Sequence, residues 1–218
     1  MYTIQRIVKT VTFKVANVEF NLPTGPVGVL ASGGADSSIV LYLLMKYSDQ
    51  PIHILTLSNA KKNYTNSFIV PKIINWCIEK TGNNNIVYHN WFTEEQTQHS
   101  LSTMPAKLLS NKTIKTLYIG DTCYPADEIN HTFAANGYDV FQNMKDRDPN
   151  TIRPTSIACF YYPFTNHNKK KIAQVYIEEN VMELFDLTRS CESFDLINTE
   201  HCGRCWWCQE RFWAFEKL

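Results

Sequence analysis

One junction constrains this chain more than any other. Val27 to Ala31 is a short apolar run suited to a buried strand, and it leads straight into Ser32-Gly33-Gly34. From Asp36 the apolar residues Ile39, Val40, Leu43, Leu44 and Tyr47 fall on one helical face. The two glycines let the backbone turn tightly and keep side chains out of a ligand's way. Ser37 and Ser38 stand where a helix begins, and there unpaired N–H groups and the helix dipole favour phosphate. The string Ser32-Gly33-Gly34-Ala35-Asp36-Ser37-Ser38 fits neither GxxxxGK[ST] nor GxGxxG, which disfavours a Walker loop and a Rossmann dinucleotide site. The alternative is a plain turn with Asp36 as a helix cap.

The rest of the chain keeps alternating. Val11, Phe13, Val15, Val18, Phe20 and Leu22 alternate with polar residues around Ala16-Asn17, which predicts a hairpin. Strands are expected at Ile52–Leu57, Ile86–Trp91, Thr116–Ile119 and Ile157–Tyr161. Helices are expected at Asn66–Thr81, Leu101–Leu109, 125–146 and Asn168–Asn180, the last capped by Asn168. Strands alternating with helices imply a Rossmann-like α/β fold, a mostly parallel sheet with helices on both faces. The expected organisation is a hairpin extension over 1–25, a nucleotide-binding α/β domain over 26–185 and a four-cysteine segment over 186–218.

Composition narrows the function classes. Lys plus Arg and Asp plus Glu are 21 each, so the chain carries no global field for nucleic acid, and none is expected as a partner. No apolar run approaches the ~20 residues that span a bilayer, and no membrane partner is expected. The start, Met1 to Lys9, lacks a signal-peptide core. Seven cysteines, an odd number bunched toward the C-terminus, do not read as a secreted disulfide framework. A reduced cytoplasmic setting is expected, a host's if the source is viral.

Cys191, Cys202, Cys205 and Cys208 are spaced C-x10-C-x2-C-x2-C. Two overlapping CxxC steps bring three thiolates to one ion, Gly203 relieves the turn, and Cys191 closes a tetrahedral four-thiolate site with no open position. Zn²⁺ suits that donor set, which makes it a structural metal. An iron–sulfur cluster, free thiols, or His201 in place of Cys191 are the other readings. Cys77, Cys123 and Cys159 are not expected as ligands.

The string Ser32 to Ser38 resembles the SGGxDS fingerprint of the PP-loop ATP pyrophosphatases, which cleave ATP between the α and β phosphates. Together with the cysteines it resembles the QueC-type 7-cyano-7-deazaguanine synthases, whose zinc motif has the form SCY…GCGxCxxCxxR. Ser190-Cys191 and Cys202-Gly203-Arg204-Cys205-Trp206-Trp207-Cys208-Gln209-Glu210-Arg211 stand for it here. Pro163-Phe164 with Lys169, Ile172 and Ala173 is similar to the family's PLxxxxKxEI helix start, and Gly120-Asp121 with Tyr124-Pro125 to a shortened GxNxxDxSGYPDCR. The family's YGQRH is replaced by Leu57-Ser58-Asn59-Ala60-Lys61-Lys62, its arginine–asparagine loop by Met104-Pro105-Ala106-Lys107, and its PDCR by Ala126-Asp127-Glu128. The departures gather in the segments assigned to the acceptor, while the ATP and zinc motifs are kept.

The resemblance implies an adenine nucleotide alpha hydrolase-like fold with ATP, Mg²⁺ and Zn²⁺ as cofactors. It implies 7-carboxy-7-deazaguanine and ammonia as substrates. Ser32, Gly33, Gly34, Ala35, Asp36, Ser37 and Ser38 would hold the phosphates, and Ser58 would lie near the adenine. Asp36 would either fix the loop or hold Mg²⁺ through water. Lys169 would stabilise departing pyrophosphate, unless Lys169-Lys170-Lys171 is only a solvated basic run. Asp121 would meet the acceptor. Trp206, Trp207, Trp213 and Phe215 would pack around the knuckle or at a homodimer contact. A module that binds nucleotide or nucleic acid without catalysis is the contrasting reading.

Overall fold

The computed structural model describes residues 11–22, 24–59, 64–93, 98–125, 147–191 and 200–218. The chain begins with a hairpin of β1 (Val11–Val15) and β2 (Val18–Leu22). Ala16 and Asn17 join them with φ of 49° and 62°. Two left-handed residues in succession form the turn whose twist matches that of the strands. Val18, Phe20 and Leu22 are buried, and Phe20 meets Phe164 edge-on at 5.4 Å. The Tyr161 hydroxyl donates to the Glu19 carbonyl (3.0 Å) and accepts from the Asn21 N–H (3.2 Å), while the Tyr118 hydroxyl donates to the Asn21 carbonyl. The hairpin is thus built into the core.

The main sheet contains β3 (Val27–Leu30), β4 (Ile52–Asn59), β5 (Ile86–Thr93), β6 (Thr116–Tyr118), β7 (Ser156–Ile157) and β8 (Phe160–Tyr161), in the order β5-β4-β3-β6-β8-β7. All neighbours are parallel except the β7–β8 hairpin. The single strand expected over Ile157–Tyr161 is therefore two short ones, because Ala158 takes φ of 54° and turns the chain.

Helices α1 (Ala35–Tyr47) and α2 (Asn66–Thr81) follow β3 and β4, and α3 (Gln98–Ser110) follows β5. Val29, Ile52 and Ile54 face α1 and α2, while Leu55 and Leu117 pack with Met104 of α3 on the other side, so helices cover both faces. The one-faced pattern expected for α1 is replaced by burial of every residue from Ala35 to Met45 except Asp36, with Tyr47 partly exposed. The reason is enclosure: the sheet, α2, α4 (Lys169–Glu178) and α5 (Met182–Leu187) all pack on it.

Asn168 caps α4 by accepting from the Lys170 N–H at 3.1 Å. Asn180, at φ of 55°, separates α4 from α5, so the helix expected to reach Asn180 stops earlier. A last helix, α6 (Trp206–Phe215), starts at the cysteines and packs against α4. The helix expected over 125–146 lies, apart from its first residue, outside the described residues.

Candidate active site

Strands β3, β4 and β5 step outward in one direction, and the next strand, β6, lies on the opposite side of β3. The connections leaving β3 and β6 therefore diverge. In open α/β sheets ligands sit at such a reversal, beyond the carboxyl ends of the strands. A cavity of about 440 Å³ opens there. Ser32, Gly34, Asp36 and Ser37 line it from the glycine loop, and Gly120, Asp121 and Thr122 from the end of β6. Leu55, Leu57, Lys169, Arg147, Arg189, Cys191 and Trp207 complete most of the wall.

The glycine loop is held in shape by its own groups. Gly33 takes φ of 76°, and its carbonyl accepts from the Arg189 N–H at 2.8 Å. The Ser32 N–H donates to Ser37 Oγ at 3.1 Å, and the Ser37 and Ser38 hydroxyls donate to the Gly34 carbonyl at 3.3 and 2.8 Å. Gly34 caps α1 with extended backbone and no side chain, leaving the first-turn N–H groups for a ligand. Across the cavity floor, a Cβ on Gly120 would come within 2.9 Å of Asp36 C and Ser37 N. Only glycine lets the end of β6 rest directly on the first turn of α1.

Asp36 does not cap the helix. It is the second residue of α1, and its Oδ2 pairs with Lys169 Nζ. Its Oδ1 is buried with no hydrogen-bond partner among the described residues, which is the kind of orphaned oxygen a hydrated cation would satisfy. Lys169 is 3% exposed, unlike Lys170 beside it, so it is not part of a solvated basic run. Tyr176, two turns further along α4, donates to the Ala35 carbonyl at 2.8 Å and fixes α4 against the loop. Glu210 Oε2 lies 3.6 Å from Lys169 Nζ, at 0% exposure. Burial drives the Glu210 carboxyl pKa up, while Lys169 and Arg147 pull it down.

Asp121 reaches solvent at the cavity lip, yet desolvation by the protein around it raises its pKa; Arg147 opposes and Asp36 adds to the rise. Arg147 donates from Nε and Nη2 to the Thr122 carbonyl and hydroxyl, and its guanidinium stacks over the Tyr124 ring at 4.5 Å. Ser58 is placed differently from the expectation. Side chains alternate along a strand: Leu55 and Leu57 line the cavity, whereas Ser58 is turned away, fully buried, and accepts from Ser67 Oγ at 2.5 Å.

Cys191, Cys202, Cys205 and Cys208 bring their sulfurs within 4.8 Å of one another, with Cys202–Cys208 and Cys191–Cys205 both at 3.9 Å. A tetrahedral ion about 2.3 Å from each sulfur sets them about 3.8 Å apart, so the donor set fits Zn²⁺. Gly203 supplies the left-handed turn at φ of 70°, and the Cys202 and Cys205 N–H groups donate to Cys191 and Cys202 Sγ at 3.5 and 3.3 Å. A hydrogen bond with Cys205 and then burial push the Cys208 thiol pKa up. His201 takes another role. Burial, then Arg211 and Arg189, hold its pKa down at about 4, and its neutral Nε2 accepts from the Ser190 N–H at 3.4 Å.

Several residues in or behind the cavity wall carried no expected site role. Arg147, Arg189 and Trp207 come from loops and from the start of α6. Glu210 had a faint signal, as the only acid among Trp206, Trp207, Arg211, Phe212 and Trp213. The Ala60–Lys62 and Ala126–Glu128 parts of the replaced segments fall outside the described residues, while Met104 of α3 is buried against Leu55 and Leu117.

A family model described as asparagine synthase matches residues 23–135, just over half of the chain. No curated protein matches it. Among solved structures, an NMN synthetase from Francisella tularensis is 14% identical with a TM-score of 0.47, over 88% of this chain and 77% of that one. The U34-tRNA thiolase NcsA from Methanococcus maripaludis, with its 4Fe-4S cluster, is 13% identical with a TM-score of 0.41, over 88% of this chain and 70% of that one. The matched segment contains β3, the glycine loop, α1 and the end of β6, and the chain belongs to the asparagine synthase family within the PP-loop ATP pyrophosphatases.

Proposed function

We propose that the protein is an ATP-dependent carbon–nitrogen ligase that adenylates 7-carboxy-7-deazaguanine and converts it with ammonia to 7-cyano-7-deazaguanine. The observation that carries the ATP half is the glycine loop set at the sheet's reversal point, with Asp36 and Lys169 paired at its mouth. The cysteine knuckle and the Lys169 helix support the deazaguanine half through the motif resemblance.

In this reading a carboxylate oxygen of the acid attacks the α phosphorus, and the α–β bridging oxygen leaves with pyrophosphate. The result is an acyl adenylate. Ammonia attacks the acyl carbon, AMP departs, and the amide remains. A second ATP adenylates the amide oxygen, and loss of AMP and a proton gives the nitrile. The N–H groups at the start of α1, with Ser32 and Ser37, hold the phosphates, and Lys169 meets the charge that gathers on pyrophosphate. Asp36 would hold Mg²⁺ through water. When bound, the ion would offset that same charge. Cys191, Cys202, Cys205 and Cys208 would hold Zn²⁺ with no position open to substrate, which confines its contribution to folding. Asp121, Thr122 and Arg147 face the acceptor from beyond β6.

A second reading keeps adenylation and changes the acceptor, ending at the amide or at a conjugate with a protein amine. It is favoured by the replaced segments at 59–62 and 104–107. Product mass distinguishes them. Incubation with ATP, Mg²⁺, ammonia and 7-carboxy-7-deazaguanine should yield the nitrile mass and two AMP per product. The amide mass with one AMP would support the second reading. Absence of AMP with every acid tried would leave a nucleotide-binding module.

A further inference from the structure

Glu210 enters the site from α6, outside the strings that carry the family resemblance's ATP half. Its carboxylate is fully buried, and neither oxygen has a hydrogen-bond partner among the described residues. The charges around it come from three other elements. Lys169 of α4 lies 3.6 Å away, Asp36 of α1 lies beyond it on the same ammonium, and Arg147 contributes from the segment ahead of β7. Arg211, next on α6, is turned elsewhere: it donates to the Thr188 hydroxyl and the Phe185 carbonyl at 2.7 and 2.8 Å. Arg147 is engaged by Thr122. Among the described residues Lys169 is therefore the cation within ion-pair distance of the buried carboxylate, Arg147 acting on it from farther off, and two carboxylates on different helices share one ammonium.

The two carboxylates are not equivalent. Asp36 lines the cavity and has an orphaned oxygen; Glu210 does not line it. A cation at Asp36 would draw that carboxylate away from Lys169. Without a second partner the ammonium would lose its anchor just as phosphates arrive. We propose that Glu210 is a positioning residue that holds the Lys169 ammonium at the mouth of the phosphate loop, leaving Asp36 free for a hydrated divalent cation. This rests on the ATP reading of the same cavity. Cys208, two residues earlier on the same helix, ties Glu210's position to the cysteine knuckle.

The test is a double-mutant cycle on the metal-loaded full chain. Magnesium pyrophosphate binding is measured by calorimetry for wild type, Lys169→Met, Glu210→Gln and the double variant, with AMP as a second ligand. Each single variant should weaken pyrophosphate binding about tenfold, and the double no more than the weaker single. AMP binding should stay within twofold, a split that general loosening of the fold would not produce. Glu210→Asp should fall between wild type and Glu210→Gln. If Glu210→Gln does not fold, the double variant, which removes both members of the pair, supplies the comparison with Lys169→Met: equal affinity supports the proposal. Wild-type affinity in Glu210→Gln, or losses that add in the double variant, would overturn it while the ATP reading stands. A wild-type protein that binds neither pyrophosphate nor ATP would overturn both.

Discussion

Gly120 illustrates how one missing carbon sets the site. A methyl group there would press on the backbone of Asp36 and Ser37 at 2.9 Å, and backbone cannot swing aside as a lysine tip can. Gly120→Ala should cost about 1–3 kcal/mol, the range for forced overpacking. It should also weaken ATP binding, because the displaced atoms are the phosphate loop's own. Chemical denaturation alongside ATP titration checks both. Ser37 should behave differently. Its hydroxyl holds Ser32 and Gly34 and lines the cavity. Ser37→Ala should lose a hydrogen bond of about 0.5–1.5 kcal/mol, slowing adenylation up to roughly tenfold with metal content unchanged. Ser58→Ala, by contrast, should leave ATP binding untouched, since Ser58 faces Ser67 rather than the cavity.

Local pattern carried the elements where one force decides. The Ala16-Asn17 turn, the Asn168 cap and the strand–loop–helix at Val27–Tyr47 were legible because turn chemistry, capping and periodicity act over a few residues. Ser58 ends up away from the cavity because side chains alternate along β4, and Leu55 and Leu57 take the cavity side. α6 was hidden: its aromatic residues read as packing around cysteines, and it starts where Cys205 caps it and Cys208 joins the cysteine cluster. Glu210 and Arg147 belong to the site only through tertiary approach, which no spacing encodes. The knuckle links these levels, because α6 carries both Cys208 and Glu210. Cys205→Ser should lower the thermal midpoint by several degrees or more and abolish stoichiometric zinc, with folding hurt before ATP chemistry. Elemental analysis and a melting scan decide; a wild-type chain purified without metal would contradict the site.

At the scale of the whole molecule, the hairpin packs into the main core, while α6 brings Trp207 to the cavity at the sheet's reversal point. Phe20, 1% exposed, stacks with Phe13 at 5.1 Å and meets Phe164 edge-on. Phe20→Ala should cost about 3–5 kcal/mol, as for a buried core aromatic. The unfolding transition should remain single, because the hairpin shares its core with β6, β8 and α1. A separate early transition would mean the hairpin folds as an appendage. Among the described residues no helix is long and apolar enough to cross a membrane.

The central claim is that this body cleaves ATP at the α phosphorus. Its loop has no lysine of the kind that grips β and γ phosphates in Walker loops, and its cation, Lys169, arrives from a distant helix instead. ATP labelled in the α phosphate, incubated with Mg²⁺, ammonia and 7-carboxy-7-deazaguanine, should release label as AMP with an equal amount of pyrophosphate. Label appearing as ADP, with orthophosphate as the second product, would contradict it.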